Sequence, residues 1–417
     1  TLEDCLRIGI DNNLSLEGKR KEIQKSKYGV SENRSKLLPQ ITVIAGYNNN
    51  FDPPVSVTDG SSYGVPYNIT KTLQHTANAG LEMQMPLFNQ TLYTSMSIAK
   101  VMEEISRLSY GKAREDIIMQ ISKMYYLGQV TAEQIVLIKA NITRLEELRD
   151  ITQAFFDNGM SMEVDLKRVN INLENLKVQY DNAQAMMKQQ LNMLKYIMDY
   201  PAEKEIALTP VNTDSITTVA LTGLSENIYE LQLSQSQVQL AERQKKIITN
   251  GYIPSLSLTG SWRYAAYTDK GYHWFHSGPS NQWFRSYGVG LTLRIPIFDG
   301  LDKTYKIKKA MIDIENKRLA WEDARKNLQT QYLNAVNDLM NNQRNFKKQK
   351  DNYLLAEDVY AVTSDRYREG IASMTEVLQD EMQMSEAQNN YISAHYNYRV
   401  TNLMLLKLTG QIESLVK

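Results

Sequence analysis

Four segments of the chain alternate apolar and polar residues. The two clearest cover residues 76–86 and 287–295, and two less regular ones cover residues 41–47 and 256–264. A period of two places successive side chains on opposite faces of a β-strand, so the pattern predicts four strands. The predicted strands span residues 41–51, 73–86, 255–268 and 283–297.

Each predicted strand has one apolar face and is about ten residues long, which is the length needed to cross a bilayer at the tilt of a barrel. The opposite face carries Glu82, Arg263 and Arg294, which suits a wet lumen. Backbone N–H and C=O groups must all be paired inside lipid, and a closed barrel needs at least about eight strands. If the strands lie in a membrane, several chains must therefore share one barrel.

A second pattern, with apolar residues at spacings of three and four, runs through residues 117–145 and 321–367. It is typical of long helices packed side by side with heptad-like spacing. None of the ten prolines falls between Leu87 and Tyr200 or after Ile297, and proline is the strongest helix breaker. A single helix over residues 89–157 would be about 100 Å long.

The chain contains the same arrangement twice. Three motifs recur about half a chain later. They are Pro39-Gln40-Ile41-Thr42 with Pro254-Ser255-Leu256-Ser257, Met85-Pro86-Leu87-Phe88 with Ile295-Pro296-Ile297-Phe298, and Phe156-Asp157-Asn158-Gly159 with Tyr367-Arg368-Glu369-Gly370. We predict a first repeat over residues 1–200, a polar connector over 201–225 and a second repeat over 226–417. The predicted long helices span residues 89–157 and 161–199 in the first repeat, and 300–368 and 372–409 in the second.

Composition narrows the function classes. The chain has 417 residues, with 47 basic and 47 acidic side chains, so its formal net charge is zero. This balance does not indicate nucleic-acid binding. No apolar run reaches the 18 or so residues of a membrane helix. The one cysteine, Cys5, excludes an intrachain disulfide framework, and its acidic neighbours argue against a lipid anchor.

No motif indicates an enzyme, a cofactor or a metal centre. The sequence has no phosphate-binding glycine loop and no nucleophile–base pairing. His273 and His276 form an H-x-x-H pattern without a third ligand, so we predict no metal there. Three of the four tryptophans, Trp262, Trp274 and Trp283, lie at or between the ends of the second strand pair. This is typical of an interfacial aromatic belt, although an aromatic-rich soluble hairpin is the alternative.

These motifs occur in the same order in both halves and together cover essentially the whole chain. In this duplicated order, the sequence resembles the TolC-like outer-membrane efflux proteins. The resemblance implies a mainly α fold with a transmembrane β-barrel. Long helical hairpins would form a periplasmic helical barrel, and four strands per chain would enter a trimeric twelve-stranded barrel. It also implies an outer-membrane location extending into the periplasm, with any signal peptide already removed. The implied partners are two further copies of the chain, a periplasmic adaptor, an inner-membrane pump and outer-membrane lipid.

The resemblance also implies site residues. Asp165 and Glu376 each lie six residues beyond a turn glycine, where the family places acidic gate residues, and Tyr367 matches an aromatic residue of the closing network. An ordinary reason is equally open for the two acids, since the helix dipole favours negative charge early in a helix. The implied adaptor-contact tip is Gly159, Met160, Gly370 and Ile371, and the implied strand–helix corners are Pro86, Phe88, Pro296 and Phe298.

Where the family can hold a basic gate partner and a second acid, this chain has Ala372 and Gln379. We therefore expect different closing contacts, with Arg168, Arg366 or Arg368 as candidates. The predicted function is a non-enzymatic trimeric exit duct of a tripartite efflux or type I secretion system, gated at its periplasmic tips. The alternative is a secreted or surface coiled-coil rod or adhesin without a pore. The sequence does not distinguish between drug, metal and protein cargo, because the pump selects the cargo.

Overall fold

A computed structural model describes residues 1–71, 73–210, 223–268 and 283–416. Within them the chain forms seven α-helices and six strands. The helices are α1 Leu2–Asn12, α2 Leu14–Ser35, α3 Gln90–Asp157, α4 Glu163–Met198, α5 Tyr229–Asn250, α6 Asp302–Arg368 and α7 Met374–Leu408. The strands are β1 Gln40–Asn49, β2 Val55–Asp59, β3 Tyr67–Lys71, β4 His75–Phe88, β5 Ser255–Thr268 and β6 Trp283–Arg294.

Four strands form one antiparallel sheet in the order β1-β4-β5-β6. The pairing register keeps the apolar residues of all four strands in phase, with Val43 opposite Leu81, Leu81 opposite Trp262, and Trp262 opposite Tyr287. One face is therefore apolar and largely exposed, as the alternation predicts. The outer edges of β1 and β6 have no neighbouring strand among the described residues, so both are available to pair with a further strand.

The segment between β1 and β4, for which the alternation predicts no strand, contains a second small sheet. Strands β2 and β3 form an antiparallel hairpin in which Val57 lies opposite Ile69. The sequence pattern did not predict these strands, because the prolines and glycines around them are typical of a loop. Each is only five residues long, which is too short for a period of two to stand out.

The other inter-strand connection lies outside the described residues. It contains Trp274, His273 and His276, so neither the aromatic belt nor the H-x-x-H pattern is placed there. The two flanking tryptophans are in the sheet: Trp262 contacts Tyr264 edge to face, with ring centroids 5.4 Å apart, and Trp283 begins β6. Both indoles are more than one-third exposed.

The long helices α3 and α6 have 68 and 67 residues and continue without a break, as the proline-free stretches predict. Their return partners α4 and α7 have 36 and 35 residues. No helix among the described residues has the length and apolar character required to cross a bilayer. Residues 201–210 of the connector form neither helix nor strand, and the carbonyl of Thr209 accepts a hydrogen bond from Gln129 of α3 at 2.7 Å.

The chain divides into two compact units that cut across the sequence repeats. One unit, residues 24–104 and 237–317, contains the four-stranded sheet and the helix segments that enter and leave it. The other, residues 1–23, 105–236 and 318–417, is helical, and its core consists of four apolar clusters between neighbouring helices.

The two strand–helix corners differ in structure. Pro86 lies inside β4 opposite Ser257, beyond the last residue that pairs with β1, so its missing N–H interrupts no ladder bond on that side. Phe88 ends β4. Pro296 and Phe298 follow the end of β6 in a segment that is neither helix nor strand, where Phe298 is 81% exposed. The two copies of the Pro-x-Phe motif thus differ in secondary structure, since one lies within a strand and the other follows one.

Candidate functional site at the helical hairpin tips

Both long hairpins reverse through the same backbone turn. At the first tip Gly159 has φ +72°, and at the second Gly370 has φ +74°. The N–H of Gly159 donates to the carbonyl of Phe156 at 2.9 Å, and the N–H of Met160 donates to the carbonyl of Phe155 at 2.8 Å. These two bonds define a Schellman motif, in which a residue with positive φ ends a helix.

The second turn repeats these bonds at the corresponding residues. Gly370 donates to Tyr367 at 2.9 Å and Ile371 donates to Arg366 at 2.8 Å. Only glycine adopts this conformation without a steric penalty. The glycines predicted to permit each reversal do so.

The helices that leave the two turns begin differently. At the start of α7, Ser373 Oγ accepts from the N–H of Glu376 at 3.3 Å, and the Glu376 carboxylate accepts from the N–H of Ser373 at 2.8 Å. This is a capping box. At the start of α4, Met162 occupies the N-cap position and its side chain makes no capping hydrogen bond. Glu376 therefore has a local structural role that Asp165, at the equivalent helix position, does not have.

Asp165 instead takes part in a link between the hairpins. Its carboxylate lies 3.2 Å from the guanidinium of Arg168, and the same guanidinium donates to Thr375 Oγ1 of α7 at 3.4 Å. The Asp165 side chain is only 15% exposed. A second link joins Arg368 of α6 to Glu147 of α3 at 3.4 Å. Two of the three arginines named from the sequence thus bridge the hairpins, while Arg366 makes no side-chain contact of this kind within the described residues.

Tyr367 is buried against an apolar cluster formed by all four tip helices. Its ring centroid lies 5.6 Å from that of Phe155, and its hydroxyl donates to Thr152 Oγ1 at 3.3 Å. The cluster draws Leu145 and Leu148 from α3, Val169, Leu173 and Leu176 from α4, Tyr360 from α6, and Met374, Val377, Leu378 and Met384 from α7. Tyr367 is therefore part of the packing that holds the two hairpins together.

Further polar contacts cross this cluster. Arg144 of α3 forms an ion pair with Glu357 of α6, and Asn141 donates to Gln388 of α7 at 2.7 Å. Glu381 is 4% exposed, and its Oε1 has no hydrogen-bond partner within the described residues. Burial raises the pKa of Glu381 because the ionised form loses hydration. The same cause, with the nearby Glu381 carboxyl adding to it, raises the pKa of Tyr360 to about 12.

Three apolar residues of the tips are exposed. Met160 and Met162 are 67% and 68% exposed, and Ile371 is 62% exposed. Scattered apolar residues are common on protein surfaces, but these three follow the same turn in both hairpins. They form a small exposed apolar patch next to the two turn glycines.

A second buried polar group lies farther along α7 and was missed by sequence reasoning. His395 is fully buried, its Nε2 accepts from Arg399 Nε at 3.0 Å, and its Nδ1 lies 3.6 Å from the Glu133 carboxylate. His395 Nδ1 has no hydrogen-bond partner within the described residues. Arg399 also donates to Gln129 at 3.1 Å. The spacing of four between His395 and Arg399 on one helix face was the available signal.

An open sheet with one apolar face and paired helical hairpins that end in matched turns are together the features of a membrane channel subunit. The chain belongs to the outer membrane efflux protein family, whose model matches residues 8–198 and 220–411. The second matched stretch begins within the predicted connector at residues 201–225. The protein is accordingly an efflux channel of the outer membrane that extends into the periplasm.

The similarity to known relatives extends over almost the full chain. It is similar to the outer membrane protein TolC of Vibrio cholerae, with 21% identity, covering 92% of this chain and 84% of that protein. It is 23% identical to the probable efflux pump outer membrane protein TtgC of Pseudomonas putida, covering 86% and 75% respectively. The crystal structure of the channel CusC superposes with a TM-score of 0.81 at 15% identity, covering 98% of this chain and 91% of that one.

These comparisons confirm the predicted family, fold class, location and channel function. They do not support the alternative of a rod without a pore. The family is a channel family and not an enzyme family.

Proposed function

We propose that the protein is the exit duct of a tripartite efflux or type I secretion system and that it is closed at its helical tips. The observation that supports this most strongly is the repeated turn, which places Asp165 and Glu376 at the same position of two helices in one packed tip. Three chains bring six such acids to one end of the helical barrel. The protein contributes no catalysis, cofactor or nucleic-acid binding in this proposal, and the transport energy comes from a pump.

The closing contacts of the gate are the two links between hairpins and the buried Tyr367. Arg168 connects Asp165 to Thr375, and Arg368 connects α6 to Glu147. These contacts are partly exposed and individually weak, since exposed ion pairs contribute roughly 0–1 kcal/mol. A gate needs such contacts, because a partner protein can separate the hairpins at modest cost.

The partner at the tip is a periplasmic adaptor that joins this channel to an inner-membrane pump. Its docking surface comprises Gly159, Met160, Gly370 and Ile371, with Met162 beside them. The exposed methionines suit a partner surface, because a flexible thioether side chain adapts its shape to an apolar contact. The TtgC relative is named as part of an efflux pump, which supports the same assembly here.

Planar-bilayer recordings test the acidic gate. Divalent cations added on the periplasmic side should block the wild-type channel, and Asp165→Asn should weaken the block. Glu376→Gln separates charge from capping, since glutamine still serves in a capping box. The matched control is Glu163→Gln, an exposed acid two residues from Asp165 that pairs with Lys167. Unchanged block in both Asp165→Asn and Glu376→Gln would exclude these acids from the pore.

A further inference from the structure

Among the described residues, the polar face of the sheet has one charged side chain without an oppositely charged partner. Alternation places Glu82, Arg263 and Arg294 on this face, and these are its only charged side chains among the described strand residues. Glu82 and Arg263 form an ion pair. Arg294 is exposed and makes no hydrogen bond or ion pair within the described part of the chain. The face therefore carries one unmatched positive charge per chain.

Arg294 lies at the end of β6, opposite Ser255 of β5, and borders a concave cavity of about 400 Å³. The cavity also has polar groups from Gln84, Ser257 and Thr292 and apolar groups from Phe88 and Leu92. Lys36 contributes a second cation, but its ammonium is 3.3 Å from the Glu32 carboxylate. The free charge of the cavity is therefore the Arg294 guanidinium, next to apolar side chains.

A guanidinium binds carboxylate, sulfonate or phosphate groups through paired N–H donors. An adjacent apolar surface favours ligands in which such a group is attached to a hydrophobic body. Three chains in the trimeric barrel repeat the site three times around the lumen. From this combination we infer that Arg294 is the charged residue of a cargo subsite for amphipathic organic anions. The inference rests on the proposed role as an exit duct.

Channel block tests the subsite, with naphthalenesulfonate as the anionic probe and naphthylmethylammonium as a cation of similar shape. Both are added to the extracellular side of trimers in planar bilayers, so that neither has to pass the helical tips. Arg294→Gln should raise the concentration of naphthalenesulfonate needed for half block by about five- to tenfold, because one charge-assisted contact is lost. Block by naphthylmethylammonium should not weaken.

Two further variants serve as comparisons. Arg285→Gln removes an arginine of the same strand on the opposite face, where its register partner is Tyr264, and should leave block unchanged. Glu82→Gln releases Arg263 from its ion pair, so it should strengthen block by the anion. Equal block in wild type and Arg294→Gln would overturn the inference, as would an equal loss in Arg285→Gln.

Calorimetric titration of the detergent-solubilised protein with naphthalenesulfonate separates this inference from the proposed function. Binding by the wild type that is reduced in Arg294→Gln, in a protein that does not conduct, would contradict the exit duct and retain the subsite. Conduction by the wild type, with equal binding of naphthalenesulfonate by wild type and Arg294→Gln, would contradict the subsite and retain the exit duct.

Discussion

The two hairpin tips share a backbone and differ in the side chains that secure it. Each turn has a glycine with positive φ and the same pair of closing hydrogen bonds. At the second tip, Tyr367 is buried and a capping box secures the start of α7. At the first tip, the corresponding Phe156 is 38% exposed and α4 begins at an uncapped Met162. Duplication has kept the turn, while the packing and caps have diverged.

This difference assigns unequal roles to two acids at the same position. Glu376 stabilises its own helix, whereas Asp165 is connected through Arg168 to the other hairpin. We therefore expect the first tip to open more readily than the second and to respond more strongly to a partner at the tip.

The largest expected effect comes from removing the buried aromatic ring. Tyr367→Ala should lower the local stability of the second tip by about 3–4 kcal/mol, since it leaves a cavity in the four-helix cluster. Phe156→Ala, at the matching place in the first tip, should cost less than about 1 kcal/mol. Hydrogen exchange of the amides around each turn measures both. Similar losses at the two tips would contradict the asymmetry.

A pH-dependent effect on stability is expected from Glu381 of the second hairpin. Burial raises the pKa of Glu381, so the stability associated with its protonated form is present below its ordinary pKa of 4.5 and is lost as pH rises through the raised value. Glu381→Gln should therefore raise the free energy of unfolding at alkaline pH, on the order of 2 kcal/mol. The increase should be smaller at acidic pH. Thermal melts across pH measure the difference.

The matching residue of the first hairpin, Asn170, is exposed and supplies the control. Asn170→Asp should leave the pH profile of the melts unchanged. A gain for Glu381→Gln that is independent of pH would show that the carboxyl does not titrate as proposed.

The turns themselves should respond equally to substitution. Gly159→Ala and Gly370→Ala should each cost about 1–2 kcal/mol, because alanine is strained at positive φ. Neither glycine has neighbouring atoms close to where a Cβ would be placed, so the cost is conformational. Exchange rates of the two turns should rise by similar factors. A marked inequality would show that only one turn keeps this geometry in the assembled channel.

The smallest effect concerns the caps and has opposite signs at the two tips. Ser373→Ala should destabilise the start of α7 by about 1 kcal/mol. Met162→Ser should stabilise α4 by a similar amount, because Asp165 is placed to complete a capping box, as Asp4 does with Thr1 at the start of α1. Hydrogen exchange in the first turn of each helix detects the change. Faster exchange in Met162→Ser would contradict the assignment.

The sequence predicted those features that follow from local chemistry. Alternation identified four strands, the absence of proline identified the long helices, and Gly159 and Gly370 identified the reversals. The cap formed by Ser373 and Glu376 also has a local signature that the interpretation overlooked. By contrast, the burial of Glu381 and the pairing of Asn141 with Gln388 depend on which helices become neighbours. No spacing within one helix reveals that.

If one chain supplies a third of a closed barrel, the detergent-solubilised protein must be a trimer. Native mass spectrometry should therefore detect a species of three times 47.9 kDa, about 144 kDa, that persists as detergent is stripped in the gas phase. A stable 47.9 kDa monomer that stays soluble without detergent would contradict this, because the exposed apolar face would then be in water. The outer edges of β1 and β6, which pair with no strand of the described residues, would also have no partner.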